Sequence, residues 1–428
     1  MNPGKNILFI YPHYIGHLLK SVLIAKYFLE NNWNIYYLSN EGFRNDRLEH
    51  FGFHSIITKS FPLSLFGSGK EGNLQIEEYY QLRKQELCTI IHEINPSLLF
   101  VDEFCAAELL FLLHWVDYKK ITVLSTFLPS FPNNLVPPQS IFAMPSNNTA
   151  KIWKEFLDQQ SSKVSINNKK EFYKSKLIEE KLPEQFGIWN FNGSHPSFNH
   201  IRKWYLVPEE FDFIRQTLMP WEKYMGPMIE LTREEKVDKQ IQLFLKLSNT
   251  DKNKSIIYLS FGTTILTFIS EPDVILFYQK FIQIAQKNSH LLFIIKVPYK
   301  LLDKLKPLSL NVMLSPFVPQ LKLLGVANLF ITHGGGNSIY EALYFGVPMI
   351  IYPPVDKFDY NGNAARLIYH GIAEKMDIQD NESVILDKIS KVLSEVSYKT
   401  KAMNFQRLLK DKYSGYYFEE SLKEQLFK

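Results

Sequence analysis

The run from Phe317 to Arg366, FVPQLKLLGVANLFITHGGGNSIYEALYFGVPMIIYPPVDKFDYNGNAAR, holds the residues best suited to a charged ligand. NLFIT has the length and apolar character of a buried strand, HGGG of a tight loop, and NSIYEALYF of a helix that begins where the strand ends. A helix N-terminus behind a glycine loop offers backbone N–H groups and a positive dipole end, which suits a diphosphate. Asn337 and Ser338 add side-chain donors. Glu341 lies one turn beyond Asn337 on the same face, where a carboxylate can accept hydrogen bonds from ribose hydroxyls. The competing reading is that Asn337 or Ser338 only caps the helix. The glycines and Glu341 weigh against it.

In its order and length this stretch resembles the signature of the UDP-glycosyltransferases, nucleotide-sugar enzymes of the GT-B fold. The resemblance implies that Phe317 stacks on the uracil, that Val318 and Gln320 read its edge, and that His333 faces the diphosphate. It further implies that Gly335, Gly336, Asn337 and Ser338 hold the phosphates, Glu341 the ribose, and Asp359 with Tyr360 the sugar. Asp356 is the alternative acid. SIIYLSFGTT resembles the family's strand and small-residue loop, which makes Thr263 and Thr264 donor-loop candidates, and YMGP at 224–227 extends the likeness. Phe317 stands where plant members commonly have Trp, and Tyr360 where the family usually has Gln, so a single hydroxyl replaces an amide's donor and acceptor.

Transfer of a sugar to an alcohol requires a base for the hydroxyl proton, and a neutral imidazole suits that task near pH 7. His17 stands in the Gly16-His17 turn after the strand NILFIY, and Asp102 ends the strand PSLLFVD. Both therefore occupy carboxyl ends of parallel strands, where doubly wound sheets place their sites. Asp102 would orient the ring and stabilise the imidazolium. The resembled family has His and Asp at the matching positions. Without that likeness, a histidine after a strand is more often a turn or packing residue. His13 competes as base; Glu103 competes as orienter, although strand alternation points it to the opposite face.

These residues need two doubly wound parallel sheets to position them. NILFIY, the helical spacing of LLKSVLIAKYFLENN and WNIYYLS form one βαβ unit, and the alternation returns at PSLLFVD, KKITVLS and repeatedly after Ser255. The expectation is an α/β GT-B protein with an acceptor domain over residues 1–224 and a nucleotide-sugar domain over 225–404. Residues 405–428 form a helical segment that, as the resemblance implies, returns to the first domain. The two face across a cleft. MIELTREEKVDKQIQ reads as a polar connector. The insert from Lys151 to Lys181 is helical and charged. Trp153, Phe156, Phe172, Trp189, Phe191 and Trp204 are available for an acceptor pocket, although such spacing is more often core.

With 428 residues, 46% hydrophobic and 21% charged, the chain fills more than one core. A net charge of +4 gives no reason to expect nucleic acid as partner. Cys88 and Cys105 are too few for a disulfide framework, so a reducing compartment, the cytoplasm, is expected. No apolar stretch is long enough to span a bilayer, although the Lys-rich C-terminus offers a surface for peripheral membrane contact. GSGK at 67–70 lacks the hydroxyl and the earlier glycine of a phosphate loop, and no G-x-G-x-x-G follows the first strand, so redox cofactors lose support. No Asp-x-Asp pair is present to hold a metal. Leaving-group charge then falls to the helix dipole and His333.

The expected activity is an inverting, metal-independent transfer of a hexose, glucose by preference, from a UDP-sugar to a small, partly apolar, hydroxyl-bearing acceptor. The alternatives are a nucleotide-sugar epimerase or hydrolase of the same fold, and a non-catalytic nucleotide-sugar-binding protein.

Overall fold

Strand-length runs of Ile, Leu, Val and Phe bounded by polar turns form parallel strands buried on both faces in the computed structural model. It describes residues 5–12, 14–40, 46–66, 75–192, 195–214, 216–237, 239–249, 253–262, 265–305, 309–356, 358–413 and 415–427. His13, Thr263, Thr264 and the GSGK loop lie outside them. The strands are β1 (Asn6–Ile10), β2 (Asn34–Asn40), β3 (His54–Thr58), β4 (Leu98–Asp102), β5 (Ile121–Ser125), β6 (Ile188–Asn192), β7 (His195–Phe198), β8 (Arg202–Tyr205), β9 (Glu222–Tyr224), β10 (Ser255–Ser260), β11 (Leu291–Lys296), β12 (Val312–Ser315), β13 (Leu329–Thr332), β14 (Met349–Ile351) and β15 (Ala373–Lys375).

The chain divides into two units. The first comprises 1–135, 147–230 and 418–428; the second comprises 136–146 and 231–417. These divisions differ from the expected boundaries at 224 and 405, and the passage of 136–146 into the second unit has no counterpart in the sequence reading.

In the first unit the sheet order is β3-β2-β1-β4-β5-β8-β9, all parallel, with β6 and β7 a separate antiparallel pair. Strand alternation splits the core. Leu8 and Ile10 join Leu99, Val101 and Tyr80 on one face. Ile7, Phe9 and Tyr11 join Phe28, Phe100 and Trp204 on the other. Phe9 stacks between Tyr37 at 4.5 Å and Phe100 at 4.9 Å. The order reverses between β1 and β4, the switch point at whose carboxyl ends doubly wound sheets place their sites. The charged insert is two helices, Thr149–Ser161 and Val164–Glu179. Near the C-terminus Leu422 is buried in the first unit and Phe418 meets Tyr27 edge to face.

In the second unit the order is β12-β11-β10-β13-β14-β15, again all parallel. Its core packs Ile257, Leu259, Phe261, Phe277, Phe293 and Ile331. Here the switch point lies between β10 and β13, so the loops after Ser260 and Thr332 emerge side by side. Residues 136–146 press on the helix Tyr360–Tyr369 so closely that a Cβ at Gly362 would lie 1.8 Å from the Gln139 carbonyl oxygen.

Candidate active site

In the first unit the register of β1 and β4 pairs Ile10 with Val101, so the segments that follow each strand start as neighbours. After β1 the chain enters the helix Ile15–Glu30, and His17 is its third residue. The expected turn is thus the first helical turn, three residues ahead of the apolar repeat that begins at Leu18. This turn aims the imidazole at the end of β4, where His17 Nδ1 lies 2.7 Å from Asp102 Oδ2. The other carboxylate oxygen, Oδ1, accepts the Phe104 N–H at 2.9 Å, which fixes the Asp102 rotamer. A carboxylate only accepts, so the ring proton is held on Nδ1 and Nε2 is left as the basic nitrogen.

Burial of the ring opposes its protonation, but the Asp102 charge and hydrogen bond, with the Glu103 charge behind them, outweigh burial and raise the His17 pKa. Lys20 pulls the other way; its ammonium is buried and donates to the Thr126 carbonyl at 2.9 Å. Glu103, the competing orienter, accepts from Ser125 Oγ at 2.8 Å and from the Thr126 N–H at 3.0 Å, away from Nδ1.

The rings around His17 are other than the pocket candidates of 153–204. Phe104 meets the imidazole edge to face at 4.9 Å, Phe127 at 6.0 Å, and Tyr14 lies at 5.9 Å. Trp204 is instead wholly buried, Trp153 is buried and packs on Phe156, and Phe172 packs on Tyr80. The side chains of Trp189 and Phe191 lie outside the described residues. Phe104 and Phe127 each follow the end of a central strand by two residues, and that position was the signal that could have found them.

In the second unit the loop after β13 runs through Gly334, at φ +88°, into Gly335 as N-cap of the helix Gly336–Tyr344. No side chain caps this helix, so neither Asn337 nor Ser338 serves as the cap. The His333 ring lies against two glycines. A Cβ at Gly262 would be 2.8 Å from its Cε1, and one at Gly335 would be 2.5 Å from its Nε2. Burial pushes the imidazole down to about 4, despite a hydrogen bond to the Ser260 main chain. A neutral imidazole offers a ring N–H as donor in place of a cationic charge.

Asn363 Nδ2 donates both to the Gly334 carbonyl at 2.8 Å and to Asp359 Oδ2 at 2.7 Å, which ties the glycine loop to the start of the helix Tyr360–Tyr369. Asp359 is buried, whereas the alternative acid Asp356 is exposed and accepts from Asn361 Nδ2 at 2.7 Å. The Tyr360 ring meets His333 at 5.2 Å. Phe317 is 77% exposed, so its ring can receive a stacking partner, and Val318 beside it is half-buried.

Glu341 is buried and already engaged. Arg233 grips it with both guanidinium arms, Nη1 to Oε1 at 2.5 Å and Nη2 to Oε2 at 3.0 Å. Gln320 Nε2 donates to Oε2 at 2.7 Å, and Tyr258 donates its hydroxyl to Gln320 Oε1 at 2.8 Å. Glu235 accepts from the Arg233 Nε at 3.1 Å and from the Leu321 and Lys322 N–H groups at the start of the helix Gln320–Leu324. The polar connector is therefore, at Arg233 and Glu235, a strap fastened to the second unit. Its composition gave no sign of this.

The model of the UDP-glucoronosyl and UDP-glucosyl transferase family matches residues 180–414. The chain belongs to this family. Among individual relatives, human UDP-glucuronosyltransferase 2B10 is 39% identical over 124 residues, 27% of this chain and 23% of the human protein. The chain thus spans about a quarter of the length of the human relatives it matches. The uncharacterized UDP-glucosyltransferase YdhE of Bacillus subtilis (strain 168) is 24% identical over 347 residues, 79% of this chain and 78% of that one. The glycotransferase of kitacinnamycin shares the fold with a TM-score of 0.71 at 16% identity, covering 98% of both chains. The architecture of this family member is accordingly GT-B.

In this family member, the structure brings His17 and Asp102 into contact in one unit. In the other it gathers His333, Gly335, Gly336, Tyr360 and Asp359 around the glycine loop, and joins Gln320 to Glu341 and Ser338. Among the described residues no cluster of three or more His, Cys, Asp or Glu could hold a metal ion, and no helix is long and apolar enough to cross a membrane.

Proposed function

We propose that the protein is an inverting glycosyltransferase that moves a hexose, glucose by preference, from a UDP-sugar to the hydroxyl of a small, partly apolar acceptor. The observation that carries this reading is the 2.7 Å contact between His17 Nδ1 and Asp102 Oδ2. It gives the first unit an oriented base, while the second unit carries a glycine loop leading into a helix without a side-chain cap. The acceptor oxygen forms its bond to the anomeric carbon as His17 Nε2 takes the hydroxyl proton. The bond to the UDP oxygen breaks on the opposite side, so an alpha-linked donor yields a beta-glycoside and UDP leaves with the electron pair.

Asp102 stabilises the imidazolium that forms. The N–H groups and dipole at the start of the helix Gly336–Tyr344 take the leaving diphosphate, a contribution of several kcal/mol if typical of preorganised anion holes. This reading needs no bound cation. The apolar character of the acceptor is supported by Phe104, Phe127 and Tyr14 around the base, and a UDP-sugar donor by the family description, which names glucuronosyl and glucosyl transfer alike.

The test is mass spectrometry of the full chain incubated with UDP-glucose, UDP-galactose and UDP-glucuronate against a panel of flavonoid, macrolide, sterol and carotenoid alcohols, with and without EDTA. A hexosylated acceptor with stoichiometric UDP, undiminished by EDTA, is expected. Free sugar formed equally well without any acceptor would replace transfer by hydrolysis.

A further inference from the structure

The register of β4 and β5 pairs Asp102 with Leu124, so the turns that follow the two strands leave the sheet side by side. In the second turn, 125–127, buried charges hold both main-chain polar groups of Thr126. Glu103 Oε1 accepts its N–H at 3.0 Å, and Lys20 Nζ donates to its carbonyl at 2.9 Å. Glu103 Oε2 accepts from Ser125 Oγ at 2.8 Å, with Lys203 Nζ at 3.7 Å, and Ser125 Oγ in turn accepts the Phe127 N–H at 3.4 Å. Burying a charge is costly unless it is hydrogen-bonded, and bonds to charged groups are about twice as strong as neutral ones.

Both charges neighbour the His17–Asp102 pair. Lys20 lies one turn beyond His17 on the helix Ile15–Glu30, and Glu103 follows Asp102. The turn they hold carries Phe127, whose ring meets the imidazole at 6.0 Å. Burial and Asp102 dominate the His17 pKa; behind them Glu103 raises it and Lys20 lowers it, so the two charges fix the turn without both pulling the base one way.

We propose that Glu103 and Lys20 are positioning residues of the acceptor site, which clamp Thr126 from both sides and so hold Phe127 as the apolar wall against which the acceptor lies when its hydroxyl meets His17. This rests on the reading of His17 as the base, given above. A shift of about 1 Å in such a wall is enough to spoil the alignment of the attacking oxygen.

Initial rates with UDP-glucose and whichever alcohol of the panel above is glycosylated fastest test this. Glu103→Ala and Lys20→Met should each raise the acceptor KM on the order of tenfold and leave the UDP-glucose KM within about twofold. Glu103→Gln keeps an oxygen for the Thr126 N–H and should return the acceptor KM to within about threefold of the unsubstituted chain. Added to Phe127→Ala, Glu103→Ala should cost less than about twofold more, because the wall it holds is already gone. An unchanged acceptor KM, equal losses in the Gln and Ala variants, or a full tenfold loss on top of Phe127→Ala would overturn the proposal. A second readout needs no acceptor: the nuclear Overhauser contact between the His17 and Phe127 rings, in the full chain labelled at His and Phe, should persist in Glu103→Gln and weaken in Glu103→Ala and Lys20→Met. Its survival in both of the latter overturns the clamp. Transfer to none of the alcohols would overturn the transferase reading instead, and the ring contact then decides the clamp by itself.

Discussion

His17 Nδ1 and Asp102 Oδ2 lie 2.7 Å apart although 85 residues separate them in the chain. The contact exists because β1 and β4 are adjacent at the sheet's switch point, which brings the residue ending one strand against the first helical turn after the other.

His17→Ala removes the base and leaves the second unit untouched. Turnover is expected to fall by ~10²–10⁴, while the UDP dissociation constant measured by calorimetry stays within about twofold. Equal losses in turnover and in UDP binding would show that His17 serves the nucleotide instead of the acceptor.

Asp102→Asn exposes the pH dependence. In the native chain Asp102 keeps the His17 pKa above its ordinary 6.5, despite burial, so the acid limb of kcat/KM should lie above pH 6.5. The amide removes the charge, and the limb should move to lower pH as the plateau rate drops. The sign for stability follows from linkage. A raised folded-state pKa adds stability that is fully present below the unfolded value near 6.5 and is lost as pH rises through the folded value. Urea unfolding should therefore show a larger cost of Asp102→Asn at pH 5.5 than at pH 8.5, and an equal cost at both would contradict the assignment.

Gly335→Ala introduces no backbone strain, since φ is −66°. Its Cβ would nevertheless stand 2.5 Å from His333 Nε2. A loss of ~1–3 kcal/mol is expected from the displaced ring. Removing that ring should relieve it, so a double-mutant cycle with His333→Ala should show a coupling that makes the pair less damaging than the sum. Strict additivity would mean that the ring and the glycine do not meet.

Gly362→Ala meets backbone instead of a side chain, with the new Cβ 1.8 Å from the Gln139 oxygen and 2.6 Å from its carbon. No rotamer relieves such a clash, so residues 136–146 must shift. We expect a loss of at least ~2 kcal/mol in unfolding free energy and new proteolytic cleavage within 136–146. A variant with native stability and native cleavage would show that the segment does not pack on this helix.

Much of the site could be read without coordinates because it rests on local rules. Glycines followed by a helical pattern announce an anion-binding terminus, and short apolar runs announce strands whose carboxyl ends carry function. Gly335, Gly336, Asn337 and Ser338 stand where the first rule applies, and His17 and Asp102 where the second does, although choosing that histidine as a base also took the family resemblance. Arg233 escaped because nothing in TREEKV distinguishes a fastened strap from a solvated connector. The difference lies in Glu341, 108 residues away. Of the aromatics of 151–204, Trp204 and Trp153 are buried as core, the commoner outcome for such spacing.

The sequence by itself determined the two doubly wound sheets, the glycine-led helix and the identity of the His and Asp at the strand ends. Hydrophobic period, strand length and turn chemistry are properties of neighbouring residues. Tertiary structure alone decided that burial lowers the His333 pKa, that residues 136–146 belong with the second unit, that Phe104 and Phe127 surround His17, and that Glu341 is held by Arg233. Desolvation, steric exclusion and ion pairing depend on which distant segments a folded chain brings within a few ångströms, and those distances arise only when the elements pack.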